Sequence, residues 1–171
     1  IAPRVPFACL HVRTEADYLA FFGKDAKRYK TTESVAQMMR AFRFPENVRT
    51  LYIAGGDNAT ALVQLLQQSS GAAAPGIPTA EASSPHFHTF LWKENFPEGV
   101  YPHSAPFIEK SLIDLEMCKR SAIHVGNAGS IWDEWVHGWR KSHNMTSLMY
   151  AGDHPVGELM PFAGNNDARF F

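Results

Sequence analysis

Residues 48–57 read Val-Arg-Thr-Leu-Tyr-Ile-Ala-Gly-Gly-Asp, a β-branched and aromatic run that ends in two glycines and an aspartate. Such a run is typical of a strand, and the glycines favour a tight turn after it. Leu62, Leu65 and Leu66 then fall on one face of a helix. The stretch therefore predicts a strand, a turn and a helix.

Four more strands are predicted on either side of this unit, all of them short and mostly apolar. They are residues 7–12, 87–92, 122–125 and 147–150. Because strands alternate with helical patterns, we predict an α/β fold, with a Rossmann-like parallel sheet and helices on both faces. Residues 7–12, 48–54 and 122–125 should be neighbouring strands.

Two further helices are indicated by apolar side chains at helical spacing. One begins at a capping residue, Thr31 or Thr32, and ends before Pro45. Its apolar face consists of Val35, Met38, Met39 and Phe42. The apolar face predicted for the other helix consists of Ile108, Leu112 and Leu115.

A last helix is predicted after the turn Gly126-Asn127-Ala128-Gly129-Ser130. Ser130 and Asp133 have the spacing of a capping box. The face of this helix is lined by Trp132, Trp135, Val136 and Trp139. Tryptophans at this spacing usually belong to a core, and a platform for a sugar is the alternative interpretation.

One domain is expected over residues 1–151 of the 171-residue chain. Within it, residues 69–85 are rich in Ala, Ser and Pro and predict a weakly ordered loop insertion, and residues 152–171 predict a surface tail.

Charge and composition exclude several classes of function. The chain has 16 basic and 17 acidic side chains and no long basic run, so nucleic acid is not an expected partner. No apolar stretch approaches the roughly 20 residues of a transmembrane helix. Cys9 and Cys118 are too few for a disulfide framework, and the sequons at Asn58 and Asn144 favour the secretory pathway weakly.

Ligands of open α/β sheets bind where the strands end, so the polar residues after each strand are the candidates. Arg13 follows the first strand and can offer a planar, charged fork to a phosphate. The glycine-rich turns offer backbone N–H groups at the start of a helix, which together with Arg13 would hold a diphosphate. In the alternative interpretation, Arg13 pairs with Glu15 or Asp17 and only stabilises the fold.

Other chemistries have weaker signals. His86 and His88 lie on one face of a predicted strand and could begin a metal site if His103 or a carboxylate joined them, but no zinc pattern completes the ligand set. The chain contains no P-loop, no Gly-x-Ser-x-Gly elbow and no Asp-x-Asp motif.

Residues 11–21, His-Val-Arg-Thr-Glu-Ala-Asp-Tyr-Leu-Ala-Phe, resemble the His-Leu-Arg-x-Glu-x-Asp-x-x-Ala-Phe segment of the O-fucosyltransferase family, especially its plant and algal branch. The resemblance continues, in the same order, through residues 31–44, 51–56, 112–114 and 126–130.

The resemblance implies the C-terminal, nucleotide-sugar-binding half of an inverting GT-B glycosyltransferase. Its donor would be GDP-fucose, with no cofactor, and its acceptor a hydroxyl of a protein or glycan. The acceptor-binding N-terminal half, or a larger assembly, would be its partner. Such an enzyme is expected in the Golgi or endoplasmic reticulum lumen, with any membrane anchor outside this chain.

The resemblance also implies roles for individual residues. Arg13 would be catalytic, because it would stabilise the departing diphosphate, and Asp114 would accept hydrogen bonds from guanine. The full set of implied substrate-binding residues is His11, Arg13, Asp114, Asn127, Ser130 and Ile131. Ile131 departs from the family, in which many relatives have Ser or Phe at this position of the phosphate turn, after a Ser or Thr.

Two other classes of function stay open. A non-catalytic relative could act as a structural or carbohydrate-binding subunit of a larger assembly, and the missing half, Ile131 and the tryptophan-rich helix favour that interpretation. A different nucleotide-binding α/β domain is the third.

Overall fold

The computed structural model describes residues 5–13, 31–42, 44–55, 59–68, 87–97, 99–127 and 130–150. The predicted loop at 69–85 and the predicted tail at 152–171 lie outside the described residues. The described residues form five strands, four α-helices and one short 3-10 turn at Lys93–Asn95. The predicted α/β class is therefore confirmed.

The five strands form one parallel sheet. They are β1 (Phe7–His11), β2 (Thr50–Ala54), β3 (Thr89–Trp92), β4 (Ile123–Asn127) and β5 (Ser147–Tyr150). Their order in the sheet is β3-β2-β1-β4-β5, so β2, β1 and β4 are parallel neighbours, as the sequence predicts, and β1 lies between the other two. This order is typical of Rossmann-like domains.

Four helices cover the two faces of the sheet. They are α1 (Thr32–Ala41), α2 (Ala59–Gln68), α3 (Phe107–Arg120) and α4 (Ile131–Ser142). Helices α1 and α2 pack on one face against the apolar side chains of Leu10, Leu51 and Ile53. Helices α3 and α4 pack on the other face, where Cys9, Tyr52 and Ala54 meet them.

The amino end of α1 agrees with its predicted cap. The Thr31 side chain accepts a hydrogen bond of 3.2 Å from the Ser34 backbone N–H, which satisfies one of the free amides of the first turn. Val35 and Met39 are buried against the sheet, as the spacing predicts.

The predicted apolar face of α3 is confirmed at Leu115, which is partly buried against the core, and is wrong at its other two residues. Ile108 and Leu112 are 64% and 55% exposed, whereas the residues that α3 buries are Asp114 and Cys118. These two residues are four apart and therefore share one stripe of the helix. Asp114 meets the Tyr52 hydroxyl, and Cys118 forms a disulfide with Cys9 of β1, so specific pairing overrides the apolar pattern.

Two further sequence expectations fail around α4. Strand β4 continues through Gly126 and Asn127, which the sequence assigned to the following turn, because these residues pair with Met149 and Tyr150 of β5. Trp135 is 66% exposed and belongs to no core.

Candidate functional site

The sheet has a topological switch point between β1 and β4. From β1 the sheet continues to β2 on one side, and from β4 it continues to β5 on the other, so the carboxyl ends of β1 and β4 flank the switch point. His11 is the last residue of β1, and Asn127 is the last residue of β4. Both are buried. This is where ligands bind in domains of this topology.

Asp133, in the first turn of α4, lies beside the ends of these two strands and is fully buried. One of its carboxylate oxygens lies 2.6 Å from His11 Nδ1 and accepts the Asn127 backbone N–H at 2.9 Å. Its other oxygen lies 3.1 Å from His124 Nε2. One carboxylate thus joins the ends of both central strands to α4.

The predicted capping box is only half present. Ser130 does cap α4, since its hydroxyl accepts the Asp133 backbone N–H at 3.4 Å. The Asp133 side chain does not accept the Ser130 backbone N–H, because its oxygens are occupied by the two histidines and Asn127. Asp133 was predicted to cap its own helix, but its side chain instead contacts residues of β1 and β4.

A glycine leaves room for this carboxylate. A Cβ atom at Gly126 would lie 2.6 Å from both Asp133 Oδ1 and the His124 ring, closer than atoms can approach. On the outer side, Trp132 stacks on His11 with ring centroids 4.1 Å apart. The His11 ring is thereby held between α4 and the sheet.

The ionisation of Asp133 determines the proton positions around it. Burial would raise the pKa of Asp133, but its electrostatic interactions and hydrogen bonds with the His11 and His124 rings outweigh burial and hold the pKa below its usual range. Asp133 is therefore a carboxylate and only accepts. It follows that His11 donates through Nδ1–H and His124 through Nε2–H.

The hydrogen-bonded chain extends from His124 to the far side of α4. Ser147 Oγ lies 2.9 Å from His124 Nδ1 and 3.1 Å from His137 Nδ1. Burial is the largest cause that lowers the pKa of both histidines, so both are neutral near pH 7. The Ser147 hydroxyl then donates to His124 and accepts from His137.

Asp114 forms a second polar group at the carboxyl ends of the strands. It accepts hydrogen bonds from the Tyr52 hydroxyl and, at 3.3 Å, from the Gly55 backbone N–H. Burial raises its pKa above the usual range, although both hydrogen bonds act in the opposite direction. Gly55 also borders His11, since a Cβ atom there would lie 3.1 Å from the His11 ring.

Most residues of the predicted set lie in this region. His11, Asp114, Asn127 and Ser130 are all buried at or beside the ends of β1, β2 and β4. Arg13 follows β1 by two residues and is half-buried, whereas Ile131 is 77% exposed at the start of α4. Glu15 and Asp17, the other partners considered for Arg13, lie outside the described residues.

Sequence reasoning missed Asp133, His124, His137 and Tyr52 as members of the site. The available signal was weak but physical, because Tyr52 and His124 interrupt strands that are otherwise apolar. A polar side chain inside such a strand needs a partner, and here the partners come from α3 and α4.

Two negative findings apply to the part of the chain that the structure describes. No group of three or more His, Cys, Asp or Glu side chains there is arranged to hold a metal ion. None of the helices in those ranges has the length and apolar character that crossing a membrane needs. His86, of the metal site considered from the sequence, lies outside the described residues.

The fold and the site together define a class: an α/β domain with a Rossmann-like parallel sheet and a polar, histidine-containing site at its switch point. No protein-family model, no curated protein and no solved structure matches this chain.

Proposed function

We propose that this domain binds GDP-fucose at the switch point and is the nucleotide-sugar half of an inverting, GT-B-type O-fucosyltransferase. One observation carries the proposal. Three residues implied by the family resemblance, His11, Asp114 and Ser130, lie far apart in the sequence and yet are linked through short contacts at one end of the sheet.

Two other residues, Asp133 and Gly55, connect His11 to Ser130 and to Asp114. His11 and Ser130 both contact Asp133, at 2.6 Å and 3.4 Å. His11 and Asp114 both border Gly55, whose φ of +69° and crowded Cβ position require glycine. A diphosphate that spans two strand ends needs such an arrangement, whereas a purely structural Arg13 does not.

Each proposed role follows from the chemistry of the side chain. Arg13 would stabilise the departing diphosphate with its charged fork. The amino end of α4, with Ser130 as its cap, would add backbone N–H groups and a positive dipole end. Each oxygen of Asp114 has a second lone pair, which would accept the N1 and N2 hydrogens of guanine.

In the proposed reaction, an acceptor hydroxyl oxygen forms a bond to the anomeric carbon of fucose from the face opposite GDP. The bond between that carbon and the diphosphate oxygen breaks, and its electron pair leaves with GDP. The acceptor proton passes to a base contributed by the other half of the enzyme. The charge that grows on the diphosphate is the charge that Arg13 opposes.

The non-catalytic alternative has one observation in its favour. Ile131 and Trp135, at the start of α4, are 77% and 66% exposed. An exposed isoleucine at the proposed phosphate turn offers no hydroxyl, and an exposed tryptophan suits contact with a sugar ring or another protein.

Two features support a proposed location in the secretory pathway. The Cys9–Cys118 disulfide joins β1 to α3, and stable disulfides are typical of oxidising compartments. Asn144, in one of the two sequons, is exposed at the turn between α4 and β5.

Calorimetric titration with GDP, GDP-fucose and ADP tests the proposal. We expect both guanine nucleotides to bind and ADP to bind much more weakly. Arg13→Lys should weaken GDP binding by about 1 to 3 kcal/mol, because lysine keeps the charge but lacks the fork. Asp114→Ala should weaken binding of GDP more than binding of ADP.

Arg49→Lys is the matched control, because Arg49 is also half-buried but lies at the amino end of β2. It should leave GDP affinity unchanged. Equal affinity in the wild type, Arg13→Lys and Asp114→Ala would remove these residues from the site. No binding at millimolar GDP would favour the non-catalytic alternative.

A further inference from the structure

The inference concerns the exposed turn between α4 and β5, which contains the sequon Asn144-Met145-Thr146. N-linked glycosylation requires an asparagine that is followed two residues later by serine or threonine, with no proline between them. The residue between them here is methionine, so the sequence requirement is met. A glycan is also bulky and hydrophilic, so the folded chain must present the asparagine to solvent.

The backbone of this turn forms a helix cap. The Asn144 N–H donates to the Lys141 carbonyl at 3.2 Å, and the Met145 N–H donates to the Arg140 carbonyl at 2.9 Å. These two hydrogen bonds are those of a Schellman motif, which needs a residue in the left-handed conformation after the helix. Asn144 is that residue, with a φ of +54°. The cap therefore uses the backbone of Asn144.

The two side chains that glycosylation needs take no part in this cap. Asn144 and Thr146 are both exposed, and neither side chain forms a hydrogen bond with the residues that the structure describes. The Thr146 carbonyl, by contrast, accepts from the Arg140 guanidinium at 2.6 and 3.0 Å. The amide and the hydroxyl of the sequon are therefore open to solvent on a turn whose backbone is fixed.

The turn lies far from the candidate site. It joins the carboxyl end of α4 to the amino end of β5, whereas the switch point lies at the carboxyl ends of the parallel strands. Helix α4 has 12 residues, which separates the turn from the opposite end of the helix, at Ser130, by about 18 Å. A glycan on Asn144 would therefore leave the switch point accessible.

We infer that Asn144 is the acceptor of an N-linked glycan. In this modification, Asn144 Nδ2 forms a bond to the anomeric carbon of the N-acetylglucosamine at the end of a lipid-linked oligosaccharide. The bond between that carbon and the lipid diphosphate breaks, its electron pair leaves with the diphosphate, and the amide loses one proton. The inference needs the secretory location proposed above, which the Cys9–Cys118 disulfide supports independently of the sequon, but it does not need nucleotide binding.

Secretion of the full chain from cultured eukaryotic cells tests the inference, followed by removal of N-linked glycans with peptide N-glycosidase in H₂¹⁸O. This enzyme converts a glycosylated asparagine to an aspartate that contains ¹⁸O. Mass spectrometry should find the label at Asn144, and it reports the second sequon, at Asn58, separately. An unlabelled Asn144 in secreted chain that is folded by circular dichroism would overturn the inference.

Two variants and a control identify what directs the modification. Asn144→Gly removes the acceptor amide and keeps the cap, because glycine adopts a positive φ without strain. Thr146→Ala keeps the amide and removes the hydroxyl. Both should be secreted and folded and should lose the glycan of this turn. Ser142→Ala, at an exposed serine outside the sequon, should keep it. A label at Asn144 in Thr146→Ala would contradict the inference.

Titration calorimetry with GDP distinguishes this inference from the proposed function. Glycosylated and enzymatically deglycosylated wild-type protein should bind GDP with equal affinity, because the turn and the switch point lie at opposite ends of the strands. An affinity that changes on deglycosylation would overturn this placement of the glycan. Absence of GDP binding in both forms, with the label still at Asn144, would overturn the proposed function and support the glycan alone.

Discussion

The two faces of the sheet are stabilised by different kinds of contact. We call the face that α1 and α2 cover the apolar face, because its central cluster consists of aliphatic, thioether and aromatic side chains. The face that α3 and α4 cover, here the polar face, buries charged and titratable side chains. These are His11, Asp114, His124, Asp133, His137 and Arg140. Apolar packing tolerates many partners, whereas each buried polar group requires a particular one.

The difference indicates where function and structural specificity lie. The apolar face contributes stability through burial that depends little on geometry. The polar face adds a disulfide and a chain of hydrogen bonds that hold side chains at the strand ends in fixed positions. Because those side chains border the switch point, the polar face also prepares the candidate site. Three substitutions test this comparison.

Arg140→Ala should have the largest effect on stability. The Arg140 guanidinium is completely buried and donates to backbone carbonyls that lie between 2.6 and 3.0 Å away. These carbonyls belong to Cys118, Lys119, Ser121, Ala122 and Thr146. Burial lowers the pKa of Arg140 to about 10, so it remains charged at pH 7.

Removing it leaves several buried carbonyls without a donor, and we expect a loss of about 4 kcal/mol in the free energy of unfolding by urea denaturation. Arg120→Ala is the control, since the Arg120 side chain is 65% exposed and forms a surface ion pair with Glu116. It should cost less than about 1 kcal/mol. A similar small cost for Arg140→Ala would show that the polar face contributes nothing by its hydrogen bonds.

Leu10→Ala tests the apolar face and should have the second largest effect. Leu10 is fully buried in the apolar cluster, and its truncation leaves a cavity between the sheet and its helices. We expect a loss of about 3 kcal/mol, equal at pH 7 and pH 5, because no titrating group is involved. Leu112→Ala, at an exposed leucine of α3, should stay within about 0.5 kcal/mol of the wild type. A strong pH dependence of the Leu10→Ala effect would mean that the two faces are coupled.

The pH dependence of stability should come from the polar face and is the smallest of the three effects. The pKa values of His124 and His137 are lower in the folded chain than the usual value of about 6.5 for an unfolded one, mainly because both are buried. Below that pH the unfolded chain binds more protons than the folded chain, so stability falls as the pH falls from 7 to 5. The Asp133 carboxyl affects stability in a separate pH range, because the stability that its ionised form contributes is lost only below about pH 4.

His137→Asn should make this fall smaller, since asparagine can still donate to Ser147 but does not titrate. Urea denaturation at pH 7, 6 and 5 measures the effect. His143→Asn, at an exposed histidine, serves as the control and should fall with pH as the wild type does. An unchanged pH dependence in His137→Asn would exclude His137 from the titrating groups.

The apolar face of the sheet could be predicted from the sequence, whereas most of the polar face could not. The apolar strands, the Thr31 cap and the helix face of Val35 and Met39 were all predictable, because each depends on residues that are neighbours in the sequence. The exposed Ile108 and the buried Asp114 were not, because apolar spacing does not reveal that a tyrosine and a cysteine on distant strands pair with one stripe of α3.

By itself, then, the sequence determined the parallel α/β architecture and the candidate residues at the strand ends, through periodicity, glycine turns and family-like motifs. Only the tertiary structure decided that Asp133 accepts hydrogen bonds from two histidines rather than completing its own helix cap, and that Cys9 and Cys118 form a disulfide. The physical reason is that a buried polar or thiol group is stabilised by whichever partner the fold brings within reach. Those partners lie up to 122 residues away along the chain, beyond any local pattern.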